Sequence, residues 1–62
     1  MKNNLKKIRR QNRQTQIELA FAIGVTPQTI IALERNHRPP SLRVARSLED
    51  YYGVTIFFDE GE

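Results

Sequence analysis

Few residues in this chain could do chemistry, and their spacing argues for binding rather than catalysis. The one histidine, His37, stands in a proline-rich loop, "RNHRPP", with no evident carboxylate partner. Cysteine is absent, so neither a disulfide nor a thiolate metal site can form, and a lone histidine cannot hold a metal. No Ser/His/Asp set and no phosphate-cradling loop occurs. Glu49-Asp50 follow an arginine-rich stretch and read as ordinary surface charge. An enzyme is therefore not expected, and neither a cofactor nor a metal is implied. Hydrogen bonding and charge remain. In "GVTPQTIIALER", Thr26 can cap a helix and Pro27 fits its first position, where a missing N–H costs nothing. Gln28 and Thr29 then stand on a rigid, exposed first turn.

Charge is more informative in its distribution than in its sum of +3. Residues 1–13 carry Lys2, Lys6, Lys7, Arg9, Arg10 and Arg13 with no acid among them. Arg35, Arg38, Arg43 and Arg46 form a second basic block, and the acids gather at Glu49, Asp50, Asp59, Glu60 and Glu62. Two readings follow: a polyanion-facing side opposite an acidic end, or two solvated faces.

The elements that would position these groups are short helices. Leu5 and Ile8 give one apolar stripe over residues 4–12. Thr15 and Glu18 form a T-x-x-E capping box for a helix over 16–23, and Gly24 closes it. Thr26 and Pro27 open the next helix, 27–35, whose inner face is Ile30 and Leu33. Only "GVT" joins these two, which fits a helix-turn-helix corner with axes near 90–120°. Ser41 caps a fourth helix, 42–52, with Leu42, Ala45, Leu48 and Tyr52 inward and Gly53 at its end. The tail "VTIFFDEGE" alternates β-branched and aromatic residues, and reads as a short strand or a single helical turn.

Sixty-two residues make one domain, 1–62, that buries only about 60% of its unfolded surface. It must pack well or gain stability from a partner subunit. "MKNNLKKIRR" has no apolar run behind it, so a signal peptide is not expected. "IELAFAIGV" is too short to span a bilayer. A cytoplasmic protein without membrane contact is the expectation.

"TQIELAFAIGVTPQTIIALERN" followed by "PSL" resembles the Cro/phage-repressor type of helix-turn-helix proteins, from about Leu5 to Ile56. Gln16, Leu19-Ala20, Gly24-Val25, Ile30, Glu34 and Pro40-Ser41-Leu42 fall in register. The resemblance implies an all-α bundle of four or five helices, with the helix-turn-helix at about 16–35. It also implies duplex DNA as partner, usually bound by a homodimer. The site residues follow from it. Pro27, Gln28, Thr29, Ile31 and Ala32 would face bases, and the amide of Gln28 matches the N6/N7 edge of adenine. Gln16, Thr26, Arg10, Arg13, Arg35, Asn36 and Arg38 would contact phosphates. Arg9 and Glu34 would form a partly buried, structural ion pair. The function implied is sequence-specific regulation of transcription, as a repressor on an inverted repeat.

The chain departs from the family at three places. Arg13-Gln14 stands where Gly-Leu is usual, so an apolar plug is missing. Ile17 and Phe21 occupy positions that are usually polar; they fold over that gap or form a protein-binding stripe. The tail is too short for a fifth helix. Residues 54–62 could pair with the same segment of a second subunit, burying Val54, Ile56, Phe57 and Phe58, or Ile56 and Phe58 could cap their own core. Antitoxins also use this fold, so a protein-binding module is the alternative function.

Overall fold

Each helix begins where a side chain satisfies its first free N–H groups. The structure, a computed structural model, describes residues 3–37 and 39–56. Four helices follow one another: α1 (Leu5–Gln11), α2 (Gln16–Ile23), α3 (Pro27–Glu34) and α4 (Leu42–Tyr52). At α2 the Thr15 hydroxyl accepts from the Glu18 N–H (3.0 Å), and the Glu18 carboxylate accepts from the Thr15 N–H (2.8 Å). Thr26 accepts from the Thr29 N–H at α3, and Ser41 from the Val44 N–H at α4. Gly24 closes α2 at φ +75°. A side chain there would meet no neighbouring atom, so its backbone conformation, not crowding, requires glycine. The chain then turns by 114° into α3, within the range of the helix-turn-helix corner.

The core draws on every helix: Leu5, Leu19, Ala20, Ile30, Leu33, Leu48 and Ile56 are buried, with Ile8, Ile23, Val25, Val44 and Tyr52 packed around them. Ala20 lies where α2 meets α3, and its small side chain lets the two helices approach closely. Asn3 ties the ends of α1 and α3 together. Its carbonyl oxygen accepts from the Leu5 N–H (3.0 Å) and its amide donates to the Leu33 carbonyl (2.6 Å).

Three expectations need correction. Leu42 is 71% exposed rather than inward. Val44, Leu48 and Tyr52 share one face at four-residue spacing, and Leu42 lies about 120° away from Leu48 around the helix. Ile17 and Phe21 do not fold over the gap at Gln14, because they are 68% and 88% exposed. Val54, Thr55 and Ile56 form no strand. Ile56 instead turns into its own core at 5% exposure, where its N–H donates to Glu49 (3.3 Å). Phe57 and Phe58 lie outside the described residues.

Arg13, in the turn between α1 and α2, has φ +56°. A side chain in that left-handed region costs about 1–2 kcal/mol, more than the roughly 0.5–1 kcal/mol that glycine's extra freedom would forfeit. Arg13→Gly should therefore stabilise the fold by about 0.5–1 kcal/mol, a rise of several degrees in Tm for a domain of this size. Thermal unfolding by circular dichroism checks it, and an unchanged or lower Tm would mean that the Arg13 side chain itself holds the turn.

Candidate nucleic-acid interface

The side chains that position α3 form one hydrogen-bonded set. Arg9 and Glu34 are an ion pair, with side chains only 9% and 3% exposed. Arg9 Nε donates to Glu34 Oε2 (2.5 Å) and Nη2 to Oε1 (3.1 Å), while Nη1 donates to the Gln14 carbonyl (2.7 Å). The hydrogen bonds it donates to Glu34 hold the Arg9 guanidinium above its ordinary pKa, with burial pulling the other way. Gln16, at the start of α2, donates Nε2 to Glu34 Oε1 (3.0 Å). A carboxylate only accepts, so this bond fixes which end of the Gln16 amide faces inward.

Gln14 fills the place of the missing apolar plug with polar contacts. Its Nε2 donates to the Tyr51 hydroxyl (2.6 Å), and the Tyr52 hydroxyl donates to its Oε1 (2.7 Å). Burial is the main cause that pushes the Tyr52 phenol up to about 12. The two rings meet edge to face with centroids 5.0 Å apart, a favourable aromatic geometry. Sequence reasoning missed Asn3, Gln14, Tyr51 and Tyr52 as a positioning set. Two adjacent tyrosines in need of partners were the available signal, but nothing in their spacing pointed to a residue more than thirty positions away.

With Ile30, Leu33 and Glu34 turned inward, the opposite face of α3 carries Gln28, Ala32 and Arg35, at spacings of four and three. Gln28 and Arg35 are exposed; Pro27, Thr29, Ile31 and Ala32 are half-buried. The Thr29 hydroxyl shares a hydrogen bond with Thr26 (3.1 Å), so both threonines serve the cap as well as the surface. A groove of about 400 Å3 runs beside this face, lined by Gln28, Thr29, Ala32, Pro39, Pro40 and Ser41 among others. Gln16 reaches the edge of α2, half-buried, and Arg13 is exposed in the preceding turn. Asn36, just after α3, has φ +62°, a conformation asparagine tolerates better than most residues. Arg10 does not join this face. It lies on the outer side of α1 with Lys6 and Lys7. Arg38 lies outside the described residues. Val54 is exposed, and Ile56 faces the core.

The chain matches the family described as "Helix-turn-helix" over residues 5–58. It belongs to that family, in its Cro/repressor-type branch. It is 45% identical over 56 residues to an "Uncharacterized HTH-type transcriptional regulator" of Methanocaldococcus jannaschii, covering 90% of this chain and 85% of that one. A protein of the same description in Methanothermobacter thermautotrophicus is 46% identical over 61 residues, covering 92% and 88%. One from Archaeoglobus fulgidus is 35% identical over 66 residues, covering 100% and 93%. This family and these relatives are not those of an enzyme, in agreement with the non-catalytic reading. Among the described residues no single helix is long and apolar enough to cross a membrane.

Two outcomes test the positioning set. Glu34→Ala leaves Arg9 enclosed without its counter-charge, at a cost of about 3–5 kcal/mol, read as a large drop in the urea midpoint; a loss under about 1 kcal/mol would mark the pair as surface decoration. Tyr52 binds its proton more tightly folded than unfolded. Its contribution is therefore fully present below pH 10 and is lost as pH rises from 10 towards 12. Tyr52→Phe should remove that part of the alkaline decline when stability is followed from pH 9 to 12.

Proposed function

We propose that this chain is a sequence-specific regulator of transcription that binds double-stranded DNA with α3 in the major groove. The observation that carries the reading is the exposed Gln28 on the outer face of α3, a helix capped at its start by Thr26 and held at its end by the Arg9–Glu34–Gln16 set. Its amide can donate and accept together and so pair with adenine, which is worth about 1–3 kcal/mol of discrimination. Pro27, Thr29, Ile31 and Ala32 shape the same face and offer methyl and methylene groups to a thymine methyl. Gln16 has one amide hydrogen beyond the one it gives Glu34, available to a phosphate. Thr26, Arg13, Arg35, Asn36 and Arg38 complete the phosphate-contacting rim, which supplies affinity without reading sequence.

One module offers few base contacts. A homodimer, with two recognition helices about 34 Å apart, reads an inverted repeat and represses by covering a promoter in the cytoplasm, at the nucleoid. Since Ile56 belongs to the subunit's own core, a dimer contact at the tail would use Val54 and the residues beyond Ile56. A second reading, docking to a partner protein as antitoxins do, is favoured by Phe21, which is 88% exposed on α2 beside Ile17.

In-vitro selection from random duplexes tests the reading. An enriched inverted repeat is expected, and Gln28→Ala should lose preference at one base pair in each half-site. Affinity should fall with salt as counterions are released. Ending the chain at Ile56 should leave a folded monomer in sedimentation. Sequence-blind retention of DNA by the intact chain would overturn specific reading and favour the partner surface at Ile17 and Phe21.

A further inference from the structure

The outer face of α1 carries charge that the α3 face does not use. Lys6, Lys7 and Arg10 are exposed and line a shallow groove of about 610 Å3 with Asn3 and Gln11. None of the three cations is paired with an acid among the described residues. Lys6 and Arg10 stand four apart, on one side of the helix, with Lys7 beside them. Leu5, Ile8 and Arg9 take the opposite side, against the core.

Direction matters more than charge count. α1 packs towards the inner side of α3, where Arg9 meets Glu34 and Asn3 meets the Leu33 carbonyl. The outer face of α1 lies on the far side of that helix from Arg9, although Asn3 at its edge also donates to Asn36 just after α3 (3.4 Å). Lys6 and Lys7 project from the side of α1 away from Arg9, whereas Gln28 and Arg35 project from the outer face of α3. Among the described residues the α1 face also lacks an apolar anchor: its lining is cations and amides. A membrane surface is held by apolar groups inserted beside the cations, and a docked peptide by an aromatic or aliphatic anchor. Phosphodiester backbone needs only cations and hydrogen-bond donors.

We propose that the outer face of α1 is a second, sequence-independent site for the phosphate backbone of another DNA segment, so that the protein bridges two duplexes. The inference rests on the DNA-binding reading of α3 and goes beyond it. In a bridged arrangement α3 chooses the first segment, and Lys6, Lys7 and Arg10 hold the second by charge alone.

The test tethers a duplex carrying the selected inverted repeat to beads and adds the full-length protein and a free, labelled duplex of unrelated sequence. The wild-type chain should retain the second duplex. The triple variant Lys6→Gln, Lys7→Gln, Arg10→Gln changes only exposed side chains, and circular dichroism verifies its fold. It should hold the tethered repeat within about twofold of wild type yet capture the second duplex about tenfold less. The salt dependence of capture should become shallower by about 0.9 in log–log slope for each cation removed. Three results would overturn the proposal: no capture by wild type that is bound to the first duplex, capture that persists in the triple variant, or equal loss of both duplexes, which would place α1 on the same segment as α3. Retention of phosphatidylglycerol vesicles without retention of the second duplex would also overturn it. Wild type that fails to hold the tethered repeat removes the α3 reading and this one together.

Discussion

A single enclosed carboxylate fixes the geometry of this small protein. Glu34 ends α3, yet it accepts from Arg9 on α1 and from Gln16 on α2. Its second oxygen serves both partners, and the remaining arginine nitrogen goes to the Gln14 carbonyl. No buried side-chain nitrogen or oxygen among the described residues lacks a hydrogen bond. That completeness is what makes an enclosed charge tolerable, since an unpaired one costs several kcal/mol. Apolar contacts in so small a core resist separation of the helices but resist sliding poorly. A bidentate arginine and an oriented amide do resist it. Through them α3 is held at a fixed rotation, with Gln28 and Arg35 outward.

The same logic explains the turn between α1 and α2. Where relatives of this fold are expected to place a leucine, Gln14 spans to both tyrosines of α4. Hydrogen bonds to two phenols replace the apolar plug, and the backbone carbonyl of the same residue holds Arg9. α4 is thus tied to the first turn of the domain by polar contacts, while Leu48 and Ile56 tie it to the core. The arrangement exposes Ile17 and Phe21, because nothing is left at Gln14 for them to cover.

Local signals in the sequence were sufficient for the helices. Thr15 with Glu18, Gly24, Thr26 with Pro27, Ser41 and Gly53 mark the ends of α2, α3 and α4, because capping is a contest between neighbouring groups and the backbone. Family resemblance pointed to Arg9 with Glu34, a contact that spacing alone could not suggest. Gln14 with Tyr51, and Asn3 with Leu33, depend on how distant elements come together, and no periodicity announces them. Leu42 is apolar, but its angle around α4 sets it apart from Val44, Leu48 and Tyr52 and leaves it exposed. The alternation in the tail suggests a strand, but Val54, Thr55 and Ile56 form none, and Ile56 enters the core.

The length of α3 sets a bound on what one subunit can read. Eight residues make little more than two turns, and half of those side chains are committed to the core and the Thr26 cap. Gln28 is the one polar, exposed side chain left within the helix, and one good base contact discriminates by about 1–3 kcal/mol. Specific sites exceed non-specific DNA by roughly 4–10 kcal/mol. On the proposed reading, the difference is left to a second half-site, to sequence-dependent duplex shape and to the phosphate rim. Positive charge is thus essential to this chain, and its spread over α1, the first turn and the end of α3 has a physical consequence. On that reading, the more cations contact backbone away from α3, the tighter DNA of any sequence would be held, and the more selectivity would rest on the rigidity with which Glu34 presents a single glutamine.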